Sequence, residues 1–180
     1  MIDKFVASVA EAVAGIADGS TVMIGGFGVG QPVHLIEGLI EQGAKDLVVV
    51  ANNAGIGRSG LARLLELRRV RKIVCSFPRT ADPVVFDELY KSGEIELELV
   101  PQGTLAERIR AGGAGIPGFY TATAYGTKLA EGKETREFDG RHYVFVRALK
   151  GDVALVEAWQ GDRWGNLTYR GAGRNFNPVM

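Results

Sequence analysis

The sequence predicts an α/β fold: a mainly parallel sheet flanked by helices, with an added antiparallel or mixed strand layer in the C-terminal third. Short β-branched strand patterns alternate with helical patterns up to about residue 111, glycines crowd the turn after the first strand, and the composition changes after Gly112. At 180 residues, 46% of them hydrophobic, the chain can bury one well-formed core. Residues 1–180 are therefore expected to form a single domain.

Helical and strand patterns follow one another in order along the first part of the chain. Apolar residues at helical spacing predict a first helix over residues 5–16. Strands are predicted at residues 21–24, 47–50, 72–76 and 95–100, and helices at residues 33–42, 61–68, 83–92 and 105–111. Gly43 and Gly93 are expected to end two of the helices, and Asp82 to cap the start of one. Because parallel neighbours need a crossover connection, each strand-helix-strand unit predicts a parallel pair.

The last third of the chain has a different pattern. Glycines and Pro117 between residues 112 and 118 predict a loop, and the apolar segment 112–120 is either an interface or part of the core. Strand patterns at residues 136–138, 141–146 and 153–159 are joined by turns at Asp139-Gly140 and Gly151-Asp152. These strands are expected to form the antiparallel or mixed layer.

Composition narrows the classes of partner and compartment. The 21 basic and 21 acidic residues cancel, so neither nucleic acid nor a membrane surface is an expected partner. The single cysteine, Cys75, excludes an internal disulfide, and with only two histidines no metal site is expected. The amino-terminal pattern fits a helix rather than an export signal, and no apolar run is long enough to span a membrane. A cytoplasmic location is therefore expected.

The most informative segment is residues 18–32, which combines an apolar strand, a glycine-dense turn and a helix start. Glycine at positions 25, 26, 28 and 30 permits backbone angles and close approaches that a Cβ forbids. The spacing matches neither a dinucleotide loop nor a nucleotide-triphosphate loop. Such a turn can direct free N–H groups at a phosphate, a carboxylate or an oxyanion, which predicts an anion or acyl-thioester cradle. A tight turn with only structural demands is the alternative.

Polar side chains also follow the later strands of the predicted sheet. Asn52 and Asn53 follow the second strand, Ser76 and Arg79 come at the end of the third, and Gln102 follows the fourth. Ligands of parallel α/β folds bind at these carboxyl ends, so the side chains are candidate binding groups. Structural alternatives are an Asx turn at the asparagines, a helix cap at Gln102 and a solvated or interface charge at Arg79. Cys75 lies within an apolar strand and is expected to be a packed small residue rather than a nucleophile.

Several motifs in order identify the chain as similar to a known family. They are residues 18–32, Asn52-Asn-Ala-Gly55, residues 101–110, residues 126–133, residues 161–169 and Arg174-Asn-Phe-Asn-Pro178. Together they resemble the A-type (alpha) chain of two-subunit class I 3-oxoacid coenzyme A transferases, with the NagB/RpiA-like fold of that family, and residues 74–79 resemble its 3-oxoadipate enzymes. Here only Gly28 and Val29 separate the Gly-Gly-Phe motif from Gly-x-Pro, one residue fewer than is usual. The chain also ends earlier than family subunits, so a final helix is expected to be missing.

The resemblance implies a half-site rather than a complete enzyme. In this family the acyl-CoA is attacked by a glutamate in a Ser-Glu-Asn-Gly motif of the partner B subunit; no such tetrapeptide occurs in this chain. The resemblance implies an α2β2 assembly, coenzyme A as the acyl-CoA substrate, no metal, and transfer of coenzyme A from succinyl-CoA to 3-oxoadipate. Acetoacetate or another short-chain acid is the alternative acceptor, and a non-catalytic acyl-CoA-binding module is the alternative function.

The resemblance also assigns roles to individual residues. No catalytic residue is expected in this chain. Asn52, Asn53 and Gln102 are expected to donate to the acyl carbonyl or its oxyanion. Arg79 is expected to bind the distal carboxylate of a dicarboxylic substrate. The residues expected to line the coenzyme A or acyl site are Gly25, Gly26, Phe27, Gly28, Val29, Gly30 and Gln31.

Overall fold

The computed structural model describes residues 2–180, which fold into a parallel sheet, a smaller antiparallel sheet and a short hairpin. The helices are α1 (Val9–Val13), α2 (Val33–Gln42), α3 (Gly60–Glu66), α4 (Val84–Ser92) and α5 (Gln102–Gly113). The strands are β1 (Thr21–Ile24), β2 (Leu47–Ala51), β3 (Val70–Cys75), β4 (Glu96–Leu99), β5 (Gly118–Thr121), β6 (Thr135–Phe138), β7 (Arg141–Arg147), β8 (Val153–Leu155), β9 (Gln160–Gly161) and β10 (Leu167–Thr168). The fold class predicted from the sequence is confirmed.

The main sheet has the strand order β4-β3-β2-β1-β8, and every pair in it is parallel. From β1 to β4 the chain always steps in the same direction, so right-handed crossovers put α2, α3 and α4 on one face of the sheet. Side chains of these helices and of α1 form the larger core with that face. Helix α5 comes after the last step and packs on the opposite face, where Leu105 and Ile109 meet Val50, Val74 and the C-terminal Phe176.

Side chains alternate between the two faces along each strand, so one sheet contributes to two cores. In β2, Leu47 and Val49 point into the larger core while Val50 points into the core under α5. All three side chains are fully buried. A strand in a sheet that is covered on both faces needs apolar side chains on both faces. For this reason β2 has the continuous apolar sequence Leu-Val-Val-Val.

The first helix is shorter than predicted. Local hydrogen bonds start it at Val9, because the Ser8 hydroxyl accepts from the Glu11 N–H at 3.1 Å and the Glu11 carboxylate accepts from the Ala7 N–H at 2.8 Å. Phe5 and Val6, expected on its apolar face, lie before it and are exposed. A second local prediction, the Asp82 cap, is also wrong, since α4 begins after Pro83 with no side-chain cap.

The last third differs from its prediction at one strand. Residues 153–159 were expected in the antiparallel layer, but only Val153–Leu155 is a strand, and it pairs parallel with β1. Asp152 guides this pairing: its carboxylate accepts from the Thr21 N–H at 2.8 Å and its N–H donates to the Thr21 carbonyl at 2.9 Å. The antiparallel layer is the sheet β5-β7-β6, in which Asp139 and Gly140 make the predicted turn with positive φ angles of 51° and 72°.

Two further features lie in this part of the chain. Of residues 112–118, predicted as a loop, the first two end α5 and Gly118 begins β5. Strands β9 and β10 form a two-stranded hairpin that the sequence pattern did not indicate. Within residues 2–180, no helix has the length and apolar character needed to cross a membrane.

Candidate functional site

The glycine loop, residues 25–31, leaves the carboxyl end of β1 and leads into α2. Its backbone turns through three left-handed glycines, Gly26, Gly28 and Gly30, with φ angles of 99°, 79° and 71°. The Phe27 N–H donates to the Val29 carbonyl at 3.0 Å, which makes the tip of the loop a tight two-strand bridge. The predicted cradle residues are therefore contiguous and lie at the edge of the sheet where parallel α/β folds bind ligands.

Two of the glycines are required by close contacts as well as by backbone angle. A Cβ on Gly26 would lie 2.8 Å from the backbone nitrogen and 2.9 Å from the Cα of Gln31. A Cβ on Gly25 would overlap the side-chain amide of Asn177. The loop is thus folded back on itself and against the C-terminal segment, so its shape is fixed by packing as well as by flexibility of glycine.

The asparagines after β2 occupy two different environments. Asn52 is 1% exposed, and its Nδ2 donates to the Ser76 hydroxyl at 3.0 Å, while its Oδ1 is buried without a hydrogen-bond partner among residues 2–180. Asn53 Oδ1 accepts from the Gly55 N–H at 2.9 Å, the Asx turn raised as its structural alternative. The unpaired acceptor makes Asn52 the stronger candidate, because an unsatisfied buried polar atom costs about 1–3 kcal/mol.

Gln102 and Arg79 lie farther along the same edge. Helix α5 begins at Gln102, and this exposed side chain makes no cap, so the structural alternative of a cap on a helix starting near Thr104 is wrong. The Arg79 side chain is 59% exposed, and its Nε donates to Asp87 at 2.8 Å. This hydrogen bond from Arg79 is the largest cause of the lowered pKa of Asp87. Arg79 thus has a partner on α4 and is still accessible from solvent.

Cys75 has the environment of a packing residue. It ends β3 with no exposed surface, and burial raises the pKa of its thiol to about 12. A thiol with that pKa is not ionised near neutrality and is a poor nucleophile. The prediction that Cys75 is a packed small residue is confirmed.

Exposed apolar side chains lie in the loops at this edge, and we call them the apolar rim; two of them, Phe27 and Val29, were predicted to line the site, whereas Ile56 and Phe77 were not. The apolar rim consists of Phe27, Val29, Ile56 and Phe77, whose side chains are all about half exposed or more. Each lies in a loop that follows a strand of the main sheet, and the Ile56 side chain reaches within 4.0 Å of a Cβ built on Gly28. Large apolar side chains in otherwise polar or glycine-rich turns were the available signal. Clustered exposure of this kind marks a surface that another molecule covers.

A cavity of about 440 Å³ lies beside the end of β4, between α5 and the antiparallel sheet. Arg108 lines it, with Nη1 donating to Glu98 at 2.7 Å and Nε donating to the Arg147 carbonyl at 2.8 Å. Burial raises the pKa of Glu98, but hydrogen bonds from Arg108 and Lys72 outweigh it and leave the pKa below the ordinary value. Glu98 and Arg108 are thus paired with each other, and no residue of the glycine loop lines this cavity.

The chain is an α/β protein with a parallel sheet and a glycine loop at its carboxyl edge, the edge at which proteins of this class typically bind ligands. The family model described as Coenzyme A transferase matches residues 6–180. The chain therefore belongs to the coenzyme A transferase family, as an A-type chain, and the resemblance drawn from its motifs is confirmed.

Curated relatives agree along the whole chain. It is 62% identical to the A chain of the 3-oxoadipate CoA-transferase of Pseudomonas putida, an alignment that covers 100% of this chain and 78% of the relative. The chain is 52% identical to the A chain of the probable succinyl-CoA:3-ketoacid coenzyme A transferase of Bacillus subtilis, covering 98% of this chain and 74% of the relative.

Solved structures share the fold at much lower identity. Glutaconate coenzyme A-transferase from Acidaminococcus fermentans matches with a TM-score of 0.80 and 17% identity, covering 95% of this chain and 61% of that one. The decarboxylase AibA/AibB matches with a TM-score of 0.78 and 26% identity, covering 93% and 67%. An acyl-CoA transferase from E. coli O157:H7, in a thioester complex with CoA, matches with a TM-score of 0.75 and 23% identity, covering 90% of this chain but 36% of that one.

Proposed function

We propose that the chain is the A-type half of a succinyl-CoA:3-oxoacid CoA-transferase that uses 3-oxoadipate as the acceptor and works with a B subunit. The observation that carries the proposal is the glycine loop, whose backbone presents N–H groups at the carboxyl edge of the sheet in a chain of this family. The acceptor follows the relatives, because the two named for 3-oxoadipate are 62% and 59% identical, against 52% for the relative named for 3-ketoacids from Bacillus subtilis.

The proposed mechanism divides the chemistry between two subunits. A glutamate carboxylate supplied by the B subunit reacts with the thioester carbonyl, expels the coenzyme A thiolate and forms an acyl-glutamyl anhydride. The thiolate then attacks the glutamyl carbonyl, which releases the carboxylate product and leaves a glutamyl-CoA thioester; the acceptor carboxylate repeats the sequence in reverse. This chain supplies donors to the oxyanions: peptide N–H groups of the glycine loop and the amides of Asn52, Asn53 and Gln102. Amides suit this role because they donate without titrating.

The B subunit is the proposed cover for the apolar rim. Phe27 and Val29 belong to the glycine loop, Ile56 reaches it at Gly28, and Phe77 forms a bridge with Asn53. A partner bound over these exposed side chains would exclude water from the acyl group and bring its glutamate to the loop. We also propose that the two subunits form an α2β2 assembly in the cytoplasm. The assembly would use coenzyme A, as the acyl-CoA, as a substrate and would need no metal. A reducing compartment fits a chain whose one cysteine is free and buried.

Co-expression with a B subunit tests the proposal directly. We expect succinyl-CoA consumption with 3-oxoadipate only when both subunits are present, because the nucleophile and the donors then meet in one cleft. The rate should be measured for the mixture and for each chain alone, with 3-oxoadipate and with acetoacetate. A faster rate with acetoacetate would support the alternative acceptor, favoured by the 3-ketoacid relatives. Inactivity of the mixture with both acids would refute the proposal and favour an acyl-CoA-binding module.

Replacing Arg79 by alanine is expected to weaken use of 3-oxoadipate selectively. Arg79 lies at the carboxyl end of β3, and its exposed guanidinium has the fork geometry that binds a carboxylate. We expect kcat/KM for 3-oxoadipate to fall about tenfold or more while kcat/KM for acetoacetate, which lacks the second carboxylate, changes less than about twofold. Asp87→Asn is the matched control, since it removes the charge that pairs with Arg79 but leaves the guanidinium in place. Equal losses for both acids would exclude the role.

A further inference from the structure

Two asparagines near the C-terminus hold the glycine loop from one side. Asn175 Nδ2 donates to the Val29 carbonyl at 2.9 Å, and Asn177 Nδ2 donates to the Gly30 carbonyl at 2.9 Å. These carbonyls belong to consecutive peptide groups. Two side-chain amides from a remote part of the chain therefore set the orientation of two adjacent peptide planes in the loop.

The Asn177 side chain is itself rigidly held. Its Nδ2 also donates to the Gly173 carbonyl at 3.0 Å, its Oδ1 accepts from the Glu157 N–H at 2.9 Å, and the residue is 2% exposed. A buried amide with three hydrogen bonds has one orientation, because turning it would leave polar groups unsatisfied. A Cβ on Gly25 would occupy the space this amide needs. Glycine at position 25 thus makes room for the asparagine.

The two peptide planes determine where the loop N–H groups point. In a trans peptide the C=O and the N–H that share a plane point in opposite directions. Because the carbonyls of Val29 and Gly30 face the asparagines, the N–H groups of Gly30 and Gln31 point away from them. Neither N–H donates to any acceptor within residues 2–180. They are consequently two adjacent, oriented donors available to an anionic ligand.

We propose that Asn175 and Asn177 are positioning residues that fix the N–H groups of Gly30 and Gln31 toward the acyl group and its oxyanion. This inference rests on the proposed function, since the loop meets an oxyanion only in a transferase subunit. Donors that are oriented before the reaction need no reorganisation as charge develops. Losing their orientation is therefore expected to lower kcat more than it changes KM. Asn175 also keeps its Oδ1 buried without a hydrogen-bond partner in the part of the chain that the structure describes, an unfavourable arrangement retained beside the loop.

The test compares Asn175→Asp and Asn175→Ala in the complex co-expressed with the B subunit. Aspartate removes the donor and places a carboxylate against the Val29 carbonyl, whereas alanine only removes the donor. We expect kcat to fall about 10- to 100-fold for Asn175→Asp and less for Asn175→Ala, with KM for succinyl-CoA changed less than about threefold. Asn166→Asp is the matched control: Asn166 donates to Asp162 at 2.8 Å in the β9–β10 hairpin, and its replacement is expected to leave kcat unchanged.

Hydrogen–deuterium exchange supplies a second measurement that needs no activity. The Phe27 N–H is bonded to the Val29 carbonyl that Asn175 also holds, so peptides covering residues 25–31 are expected to exchange faster in Asn175→Asp than in Asn166→Asp. If the wild-type complex is active, a kcat for Asn175→Asp within about threefold of wild type overturns the positioning role. If the wild-type complex is inactive, the proposed function fails, and the exchange rates alone test whether Asn175 holds the loop. Equal exchange of residues 25–31 in Asn175→Asp and Asn166→Asp would then overturn the role of Asn175 as well.

Discussion

Replacing Gly26 by alanine is expected to remove most of the transferase activity of the co-expressed complex and to destabilise it. Gly26 has a φ of 99°, a conformation that costs an alanine about 1–2 kcal/mol or more. The new Cβ would also lie 2.7–2.9 Å from atoms of Gln31, two of them backbone, and such overpacking adds about 1–3 kcal/mol. The loop must open to relieve the overlap, and a displacement near 1 Å at a catalytic donor can lower kcat about 100-fold.

Two other glycines provide controls that separate the causes. Gly19 has a φ of 80° with no atom within 4 Å of a built Cβ, so Gly19→Ala carries the backbone strain without the overlap. Gly15 has neither a left-handed φ nor a nearby atom, so Gly15→Ala carries neither. Thermal midpoints should be compared at one fixed protein concentration because association contributes to stability. The expected order of destabilisation is Gly26→Ala, then Gly19→Ala, then Gly15→Ala, with a large loss of kcat only for Gly26→Ala. Normal kcat in Gly26→Ala would show that the loop shape does not matter to the reaction.

The parts of the fold that sequence predicted well are those set by local pattern. Residues 21–24 form β1 and residues 33–42 form α2 with the predicted bounds, because β-branched alternation and a left-handed glycine stop are local signals. The first helix was overextended, since the apolar spacing over residues 5–16 gave no information about the Ser8 cap. The pairing of β8 with β1 depends on Asp152 meeting Thr21, 131 positions away, which no local pattern encodes.

In the candidate site, too, local sequence patterns predicted some features and missed those that depend on long-range contacts. The position of the glycine loop at a strand end followed from the alternation of elements, and so did that of Asn52, Arg79 and Gln102. The groups that hold the loop did not, because the bond from Asn177 to Gly30 joins residues 147 positions apart. The Arg174-Asn-Phe-Asn-Pro178 motif contributed to the family resemblance, but its physical task is visible only in the folded chain.

Replacing Asn52 by alanine is expected to lower kcat about 100-fold, the loss typical of removing one oxyanion donor. The Asn52 amide is buried with one end on Ser76 and the other unpaired among the described residues. The Ser76 hydroxyl now accepts from Nδ2 and donates its one proton to the Asn52 main-chain carbonyl at 3.1 Å. A half-turn about Cβ–Cγ would free the NH₂ group if the hydroxyl then turned its proton from that carbonyl to Oδ1. The free end can therefore donate to an oxyanion while the other stays anchored. Kinetics of the co-expressed complex with succinyl-CoA measure the effect.

Asn52→Asp and Ser76→Ala decide whether the amide itself is responsible. Aspartate keeps the shape of the side chain but presents an acceptor with negative charge, so it is expected to lose at least as much kcat as alanine does. Ser76→Ala removes the anchor and leaves the amide, so the expected loss is less than about tenfold. If Asn52 only supports Ser76, then Asn52→Ala and Ser76→Ala should have equal kcat values and the double variant should lose no more than either one. A different pattern would assign the donor to Asn52: Ser76→Ala lowers kcat only slightly, and the double variant loses about as much kcat as Asn52→Ala alone. The bond to Ser76 then only supports the Asn52 amide.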